Sequence, residues 1–259
     1  MTPDSLAQHL NKNLKTLLAG SLPGEEVSEL NRLSGGANNE TWRLKWGDTP
    51  LILRRRPFSQ DSVADLEGSI LGLPLTDEAE VIRLAASTAV PVPTIHAVFD
   101  EDHPIGEAFV MGFISGESIP QRWLTDDVFE TARANLAFQC GEALAGIHAI
   151  DCAKLPQNIG PTTLEKRFAA AQKRLHAFGD ISPVMQFGLN WLIDHAPANA
   201  PCVLLHGDFR TGNLLIDENG LAGGPDWELT HQGPAEEDLE YLCANVWRFG
   251  HLDKPVGGF

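Results

Sequence analysis

The segment "LLHGDFRTGNLLI", residues 204–216, places polar side chains between two short apolar runs. Apolar runs of this length are typical of buried strands, so the polar residues should lie on a core and not on a loose surface loop. Burying polar groups costs free energy unless they pair with one another or with a ligand. The segment therefore predicts a functional loop, whose polar residues are His206, Asp208, Arg210 and Asn213.

The residues after this loop predict a β-hairpin. Apolar residues 214–216 and 221–223 flank the turn signal Asn219-Gly220, which we expect to supply the positive φ angles of a tight turn. Folding this hairpin would bring its two ends together, and with them the polar side chains at either end.

The side chains at the ends of the hairpin predict a metal site. Asn213 precedes the first strand, Asp226 follows the second, and Asp208 lies a few residues upstream in the same loop. Two carboxylates and one amide oxygen suit a hard cation that prefers oxygen ligands, such as Mg²⁺. One of the carboxylates can stay off the metal and orient a hydroxyl nucleophile.

The spacing of Asp208 and Asn213 equals that of the protein-kinase catalytic loop. Together with the downstream "DWE" at 226–228, "HGDFRTGN" resembles the aminoglycoside phosphotransferase family, the small-molecule relatives of protein kinases. The motifs are most similar to those of uncharacterised bacterial phosphotransferases and of the kinase-like domains fused to acyl-CoA dehydrogenases. The resemblance implies an α+β, protein-kinase-like fold of two lobes, with a small antiparallel-sheet N-lobe and a mainly helical C-lobe, incomplete at its C-terminal end.

The resemblance assigns roles to the loop residues. It implies that Asp208 is the catalytic base and that Asn213 and Asp226 bind Mg²⁺. His206 would help to hold the loop. Asp238, in "GPAEEDL", would brace the loop from the following helix.

The resemblance also implies an ATP site in the first part of the chain. The turn in "LSGGANNETWRL" (33–44) corresponds to the phosphate-covering hairpin, "LILRRR" (51–56) to the strand with the phosphate-binding lysine, and "FVMGFI" (109–114) to the hinge whose backbone faces adenine. In the family, a helix supplies the acidic partner of that lysine. In this chain both Glu78 and Glu80 are candidates for that role. The implied nucleotide-binding residues are Gly35, Gly36, Ala37, Asn38, Arg54, Glu78, Gly112 and Ile114.

Apolar periodicity divides the chain into a β-rich first part and a helical second part. An amphipathic helix at the N-terminus precedes an antiparallel meander over 27–56, a helix near 76–88 and a strand within 108–114. Ligands commonly bind in the cleft between two such lobes. The predicted division is a nucleotide-binding N-lobe at 1–111, a hinge at 112–116 and a helical C-lobe at 117–259 with the catalytic loop and metal site.

The composition argues against several classes of protein. The formal net charge of −16 would repel nucleic acid, and no apolar run approaches the roughly 18–20 residues that span a bilayer. The N-terminus lacks the apolar core of a secretory signal, and the four cysteines are scattered without a CxxC pair. We therefore expect a cytoplasmic protein with free thiols and no nucleic-acid or membrane partner, which binds ATP, Mg²⁺ and a small-molecule hydroxyl substrate.

Three departures from the family pattern leave an alternative open. Arg54 replaces the phosphate-binding lysine, Gly224-Pro225 precedes Asp226 where the family has large apolar residues, and the chain stops soon after a helical stretch, so we expect a truncation. Proline cannot donate a ladder hydrogen bond, so the strand before Asp226 should lie at an edge or end early. The main alternative to a kinase is a nucleotide-binding pseudoenzyme without turnover.

Two further alternatives concern metal chemistry. Metal-dependent hydrolysis would need additional ligands, and a zinc site would need His206, His231 and Asp208 to meet. The acceptor alcohol also stays open, because the family that the chain resembles covers aminoglycosides, choline, sugars, homoserine and hydroxyacyl thioesters.

Overall fold

The computed structural model describes most of the chain but not every residue singled out above. The described residues are 3–20, 22–23, 26–33, 39–57, 72–177, 179, 182–197, 201–224 and 226–259. The expected phosphate-covering residues Gly35, Gly36, Ala37 and Asn38 lie outside the described residues, as does Pro225.

A five-stranded antiparallel sheet forms the first part of the fold, as the sequence pattern predicts. In its second strand the side chains of Trp42, Leu44 and Trp46 are buried while those between them are more exposed, the period of two expected when one face is covered. The strand order is β1-β2-β3-β5-β4, with bounds β1 Val27–Leu33, β2 Glu40–Trp46, β3 Thr49–Arg55, β4 Ile95–Phe99 and β5 Ala108–Gly112.

Helix α1, Pro3–Leu18, packs on this sheet through a stripe of leucines. Leu10, Leu14 and Leu18 recur every four residues and are fully buried, in one apolar cluster with Trp42 and Trp46. Burying each leucine contributes about 1.5–3 kcal/mol relative to an exposed side chain. The amphipathic helix predicted at the N-terminus is therefore present and packs on the body.

The second part of the chain is mainly helical, and its core is continuous with that of the first part. Leu136 and Leu144 of helix α4 (Glu130–His148) are buried in a cluster that also contains Val81 of helix α2 (Leu75–Ala85) and Phe109 of β5. Residues from both sides of the predicted hinge therefore share one core. The boundaries of the two lobes stay a prediction. Among the described residues no helix is both long and apolar enough to cross a membrane. The remaining helices are α2 Leu75–Ala85, α3 Pro120–Thr125, α4 Glu130–His148, α5 Leu164–Ala177, α6 Pro183–His195 and α7 Glu236–Cys243.

Two small antiparallel sheets position the loop of residues 206–213. Strand β6, Val203–Leu205, pairs with β9, His231–Gly233, and β7, Leu215–Ile216, pairs with β8, Leu221–Gly223. The loop begins after β6 and ends before β7, so the apolar runs that flank it are the strands expected from the sequence. The predicted hairpin is present, and its second strand ends before Asp226.

The turn of this hairpin differs from the expected one. The Asp217 carboxylate accepts the backbone N–H groups of Asn219 and Gly220 at 2.7 and 3.0 Å, and the Asp217 N–H donates to the Gly220 carbonyl at 2.9 Å. In this described turn Gly220 has a positive φ, 145°, and Asn219 does not. The prediction that both residues supply positive φ angles is wrong, because residues 217–220 connect the paired strands and the Asp217 side chain closes this longer turn.

Candidate active site

Asp238 holds the backbone of the loop from helix α7. Its buried carboxylate accepts the N–H groups of His206 and Gly207, both at 2.9 Å, and contacts Nε2 of His148 at 3.1 Å. Burial acts to raise the pKa of Asp238, but the hydrogen bonds from His148 and from the two backbone groups outweigh it and lower that pKa. An ionised carboxylate therefore braces the loop, and His148 is a support whose role the sequence reasoning missed.

Gly207 lets the loop pass directly against the segment that follows Asp226. Its φ is 80°, in the left-handed region that side chains rarely adopt. A Cβ at this position would also collide with the carbonyl oxygen of Leu229. Both the positive φ and the close approach to Leu229 require glycine at this position. The "HGD" motif therefore determines the backbone conformation of the loop as well as its polar side chains.

His206 supports the loop as a buried, neutral ring. The ring packs against Phe209 and Trp227, with centroid separations of 5.5 and 4.6 Å, and its Nδ1 accepts the N–H of Asp208 at 3.3 Å. Burial lowers the pKa of His206, although nearby carboxylates oppose the effect. The neutral ring therefore carries its proton on Nε2, which has no hydrogen-bond partner among the described residues.

The Asp208 carboxylate is fixed from both sides within its own loop. Its Oδ1 accepts Nε of Arg210 at 2.9 Å, and its Oδ2 accepts a short hydrogen bond from the side-chain amide of Asn213. The same amide nitrogen donates to the Asp208 carbonyl at 3.1 Å. Because the Asn213 nitrogen is used in this way, its Oδ1 is left to bind another group.

Asp226 occupies a strained position at the end of the hairpin. Its φ is 78°, which is uncommon for a residue other than glycine and tends to occur at functional sites. Its Oδ1 accepts Nη2 of Arg54 at 2.6 Å, and its side chain is one-third exposed. Within the described residues, Oδ2 of Asp226 and Oδ1 of Asn213 accept no hydrogen bond, and both are oxygen donors of the kind that Mg²⁺ prefers.

Arg54 lies at the junction of three acidic side chains. Its Nε is 3.3 Å from Glu78, and its Nη2 is 2.6 Å from Asp226 and 2.9 Å from Glu228. Burial acts to lower the pKa of Arg54, but these carboxylates outweigh it and raise that pKa, so the guanidinium stays charged. One cation facing three carboxyl groups leaves excess negative charge, which a bound divalent cation would neutralise.

Of the two candidate glutamates on α2, Glu78 is the one that contacts Arg54. Its carboxyl group is buried, which raises its pKa to about 7, with further increases from Asp226 and Glu228 and an opposing effect of Arg54. Glu80 instead forms an exposed ion pair with Arg83 at 3.4 Å on the same helix. The pairing of Arg54 with Glu78, implied by the resemblance, is therefore present in the structure.

Glu228 and Asn39 belong to this junction although neither was assigned a role from the sequence. The Asn39 amide donates to Oε2 of Glu228 at 3.2 Å, and the same oxygen accepts Nη2 of Arg54. Burial raises the pKa of Glu228, and the charge of Asp226 adds to the effect. The available signal was the third letter of "DWE", which places a second carboxylate only two residues after Asp226.

Arg210 is another residue that the sequence reasoning left without a role. Its guanidinium lies over the Trp247 ring, 4.3 Å from the centroid, while its Nε bonds Asp208. Burial raises the pKa of Tyr241, and the charge of Asp208 adds to the effect while that of Arg210 opposes it. A Cβ at Gly212 would collide with Nη1 of Arg210, so glycine leaves the space in which the arginine folds back over its own loop.

The expected hinge residues end strand β5. The N–H of Gly112 donates to the carbonyl of Thr94 at 2.9 Å, so this N–H is already used within the protein. Ile114 lies two residues further along the chain, beyond the end of β5. Contact of either residue with adenine stays a prediction.

The zinc alternative is wrong. Nε2 of His231 contacts Nη1 of Arg167 at 2.9 Å and Glu237 at 3.2 Å. Its Nδ1 contacts the carbonyl oxygen of Leu229 at 2.7 Å. Across the described part of the chain, no group of three or more His, Cys, Asp or Glu side chains is placed to hold a metal ion. His231 therefore does not join His206 and Asp208, because its ring belongs to an ion-pair network with α5 and α7.

The sequence pattern of the phosphotransferase enzyme family matches residues 29–259. The chain belongs to the phosphotransferase enzyme family. The matched region contains the loop, the hairpin and the Arg54 junction described above. The resemblance inferred from "HGDFRTGN" and "DWE" is thereby confirmed.

A curated relative of this chain is acyl-CoA dehydrogenase family member 10 of Mus musculus, with 26% identity over 252 residues. The match covers 90% of this chain and 22% of the mouse protein, so the chain spans about a fifth of that relative's length. The similarity to kinase-like domains fused to acyl-CoA dehydrogenases is confirmed.

Two solved structures share the fold. One, from Ralstonia eutropha JMP134 and only provisionally assigned as an aminoglycoside phosphotransferase, is 21% identical, with a TM-score of 0.71 over 90% of this chain and 68% of that chain. The other, a ternary complex of streptomycin, ATP and APH(2″)-IIa, is 20% identical, with a TM-score of 0.62 over 94% of this chain and 76% of that chain. The α+β, kinase-like fold of two lobes is confirmed.

Proposed function

We propose that this protein transfers the γ-phosphoryl group of ATP to a hydroxyl group of a small molecule. The observation that carries the proposal is the fixed Asp208 carboxylate beside the free oxygen atoms of Asn213 and Asp226. The relative APH(2″)-IIa, which shares the fold, was solved with ATP and streptomycin bound. This precedent supports a nucleotide and a small alcohol as the two substrates.

Asp208 is the base in the proposed reaction. The alcohol oxygen forms a bond to the γ-phosphorus while the bond from that phosphorus to the β–γ bridging oxygen breaks, and ADP leaves with the electron pair. The proton of the hydroxyl passes to the Asp208 carboxylate late in this step and then to solvent. Positioned proton acceptors of this kind contribute about 10²–10⁴-fold to the rate.

Asn213 and Asp226 are the proposed ligands of Mg²⁺. When bound, the metal would neutralise charge on the phosphates. Arg54 takes the place of the lysine expected at this strand position, and among the described residues its Nη1 donates no hydrogen bond, so it can donate to a phosphate oxygen. The fork geometry of arginine suits phosphate, although its reach differs from that of lysine.

A nucleotide-binding pseudoenzyme is the second candidate, because Arg54 already bonds Asp226 at 2.6 Å. If this contact persists with nucleotide bound, the positive charge of Arg54 would weaken metal binding at Asp226 and phosphoryl transfer would be slow. ATP binding would then survive without turnover.

Thermal shift and product formation separate the two candidates. We expect ATP to raise the Tm, and Mg²⁺ to increase that shift further, because the ligand binds the folded state. Formation of ADP and a phosphorylated alcohol should then be measured against an aminoglycoside, choline, a sugar, homoserine and hydroxyacyl compounds. Stabilisation without any product would favour the pseudoenzyme, and absence of stabilisation by ATP with or without Mg²⁺ would contradict both.

A further inference from the structure

We propose that Glu228 is a positioning residue, whose carboxylate retains Arg54 while Asp226 binds Mg²⁺. The inference rests on the proposed function, since it concerns the same metal site and the same phosphate-binding cation. Glu228 offers the guanidinium a second partner, so the contact of Arg54 with Asp226 need not prevent metal binding.

One nitrogen of Arg54 is shared between two carboxylates. Nη2 lies 2.6 Å from Oδ1 of Asp226 and 2.9 Å from Oε2 of Glu228, whereas Glu78 contacts Nε at 3.3 Å. The Asp226 side chain is 33% exposed and that of Glu228 only 16%, so Asp226 is the more open of the two to a ligand. A buried charge that loses one partner needs another within reach. For Nη2 of Arg54 that partner is Glu228.

Glu228 is held in place by contacts that do not involve Arg54. Its Oε2 accepts the amide of Asn39 at 3.2 Å, and Asn39 is buried directly before strand β2. Its backbone carbonyl accepts the N–H of Leu73 at 2.8 Å, just before helix α2. Because both the side chain and the backbone have supports of their own, Glu228 keeps its position when Arg54 gives up Asp226.

The charges explain why a second partner is needed. A divalent cation at Asp226 would lie close to the guanidinium of Arg54, and like charges repel more strongly in a partly buried site than in water. The negative charge of Glu228 offsets this repulsion. Without it, Asp226 would be the sole hydrogen-bond acceptor of Nη2, and Arg54 would compete with the metal for that carboxylate.

Direct metal binding by Glu228 is the alternative, because within the described residues its Oε1 accepts no hydrogen bond. The two roles differ in their dependence on Arg54. A positioning role requires the guanidinium, whereas a metal ligand acts with or without it. A double-mutant cycle between Glu228 and Arg54 measures this difference.

Nucleotide binding with and without metal tests the inference. The 259-residue chain is titrated calorimetrically with a non-hydrolysable ATP analogue in Mg²⁺ and in EDTA, and the ratio of the two affinities is the gain due to the metal. Glu228→Gln should reduce this gain about tenfold, the lower end of effects seen when a metal site loses a supporting group. Glu240→Gln, the same charge change at an exposed position on α7, should leave the gain unchanged. Equal gains in these two variants would overturn the inference.

The cycle is completed in an Arg54→Gln background. Because the competing guanidinium is then absent, adding Glu228→Gln should have no further effect on the gain due to Mg²⁺. Reductions of equal size in both backgrounds would overturn the positioning role and make Glu228 a metal ligand.

Asn39→Ala supplies a second test, which stands even if Arg54→Gln does not fold in a thermal unfolding control. This change removes the support of Glu228 and alters no charge, so a severalfold smaller gain is expected. Asn31→Ala, exposed on strand β1, is its control and should match the wild type. An unchanged gain in Asn39→Ala would contradict the inference.

The same titrations separate this inference from the proposed function. Failure of the analogue to bind the wild type, with or without Mg²⁺, would overturn both. If the wild type binds the analogue and phosphorylates an alcohol with ATP while Glu228→Gln keeps the full gain from Mg²⁺, the positioning role alone is overturned. A reduced gain that depends on the presence of Arg54 is the expected result.

Discussion

Around Arg54 one buried guanidinium contacts three carboxyl groups, whereas helix α6 buries only Leu189 and leaves Trp191 half exposed. In the first region every charged group depends on its neighbours, because removing one leaves another buried and unpaired at a cost of several kcal/mol. In the second region a side chain can change with little effect on folding. The proposed chemistry of phosphoryl transfer would thus depend on the charged network around Arg54, whereas exposed side chains of α6 can change without leaving a charge buried and unpaired.

The largest effect should follow a change in the rigid region at Asp208. Asp208→Asn keeps the shape of the side chain and removes the carboxylate, so kcat should fall at least about a hundredfold. The Kd of Mg·ATP should stay within a few-fold, because Asn213 and Asp226 are the proposed metal ligands. The exposed Asp253→Asn serves as a control. A kcat within a few-fold of wild type would exclude Asp208 as the base, and a collapse of ATP binding would make it a metal ligand instead.

Asp226→Asn should weaken Mg·ATP binding about a hundredfold, the upper end of effects seen when a metal site loses a supporting group. Asparagine tolerates the positive φ of 78° at this position, so the variant tests the charge and not the backbone. Isothermal titration with and without Mg²⁺ measures the effect, with Glu80→Gln on the surface of α2 as control. Unchanged Mg²⁺ dependence would remove Asp226 from the metal site.

Asp238→Asn probes the brace of the loop and should reduce the free energy of unfolding by about 1–3 kcal/mol. The amide cannot accept all three hydrogen bonds that the buried carboxylate accepts from His148, His206 and Gly207. Urea unfolding measures the loss. Glu236→Gln, exposed on the first turn of the same helix, should change stability far less, and equal losses in both variants would argue against the brace.

Glu78 predicts a pH dependence of stability. Its pKa is raised to about 7 from an ordinary value of 4.5, so the folded state binds this proton more tightly than the unfolded chain does. That contribution is fully present below about pH 4.5 and is lost as the pH rises through 7. Urea unfolding from pH 4.5 to 8 should show the wild type losing stability relative to Glu78→Gln as the pH rises. A difference that is constant, or that has the opposite slope, would contradict this prediction.

The smallest effect should come from the exposed face of α6. Val184→Ser on α6 replaces a side chain that is 77% exposed, so the free energy of unfolding should change by no more than about 0.5 kcal/mol. Urea unfolding of this variant beside Asp238→Asn sharpens the contrast between the two regions. A loss of more than about 2 kcal/mol would show that α6 packs more tightly in solution than its exposed side chains indicate.

Local patterns in the sequence determined much of the fold and the core of the site. Alternating side chains predicted the strand around Trp42, the leucine stripe predicted α1, and the spacing of Asp208 and Asn213 predicted a kinase-like loop next to a hairpin. Such features depend on neighbours within a few residues, where backbone geometry fixes which side chains share a face. The same reasoning misjudged Asn219, because the length of the turn depended on how the two strands pair.

Contacts between distant segments were decided only by the tertiary structure. Arg54 meets Asp226 across 172 positions of sequence and Asp238 meets His148 across 90, and no local pattern encodes which of many charged residues will pair over such separations. The sequence left Glu78 and Glu80 equivalent, and burial of one of them against Arg54 separated them. In the sequence, the apolar side chains of α6 are typical of an ordinary helix face. Whether such a face is covered depends on which other elements pack against it, and only the structure shows that these side chains are exposed.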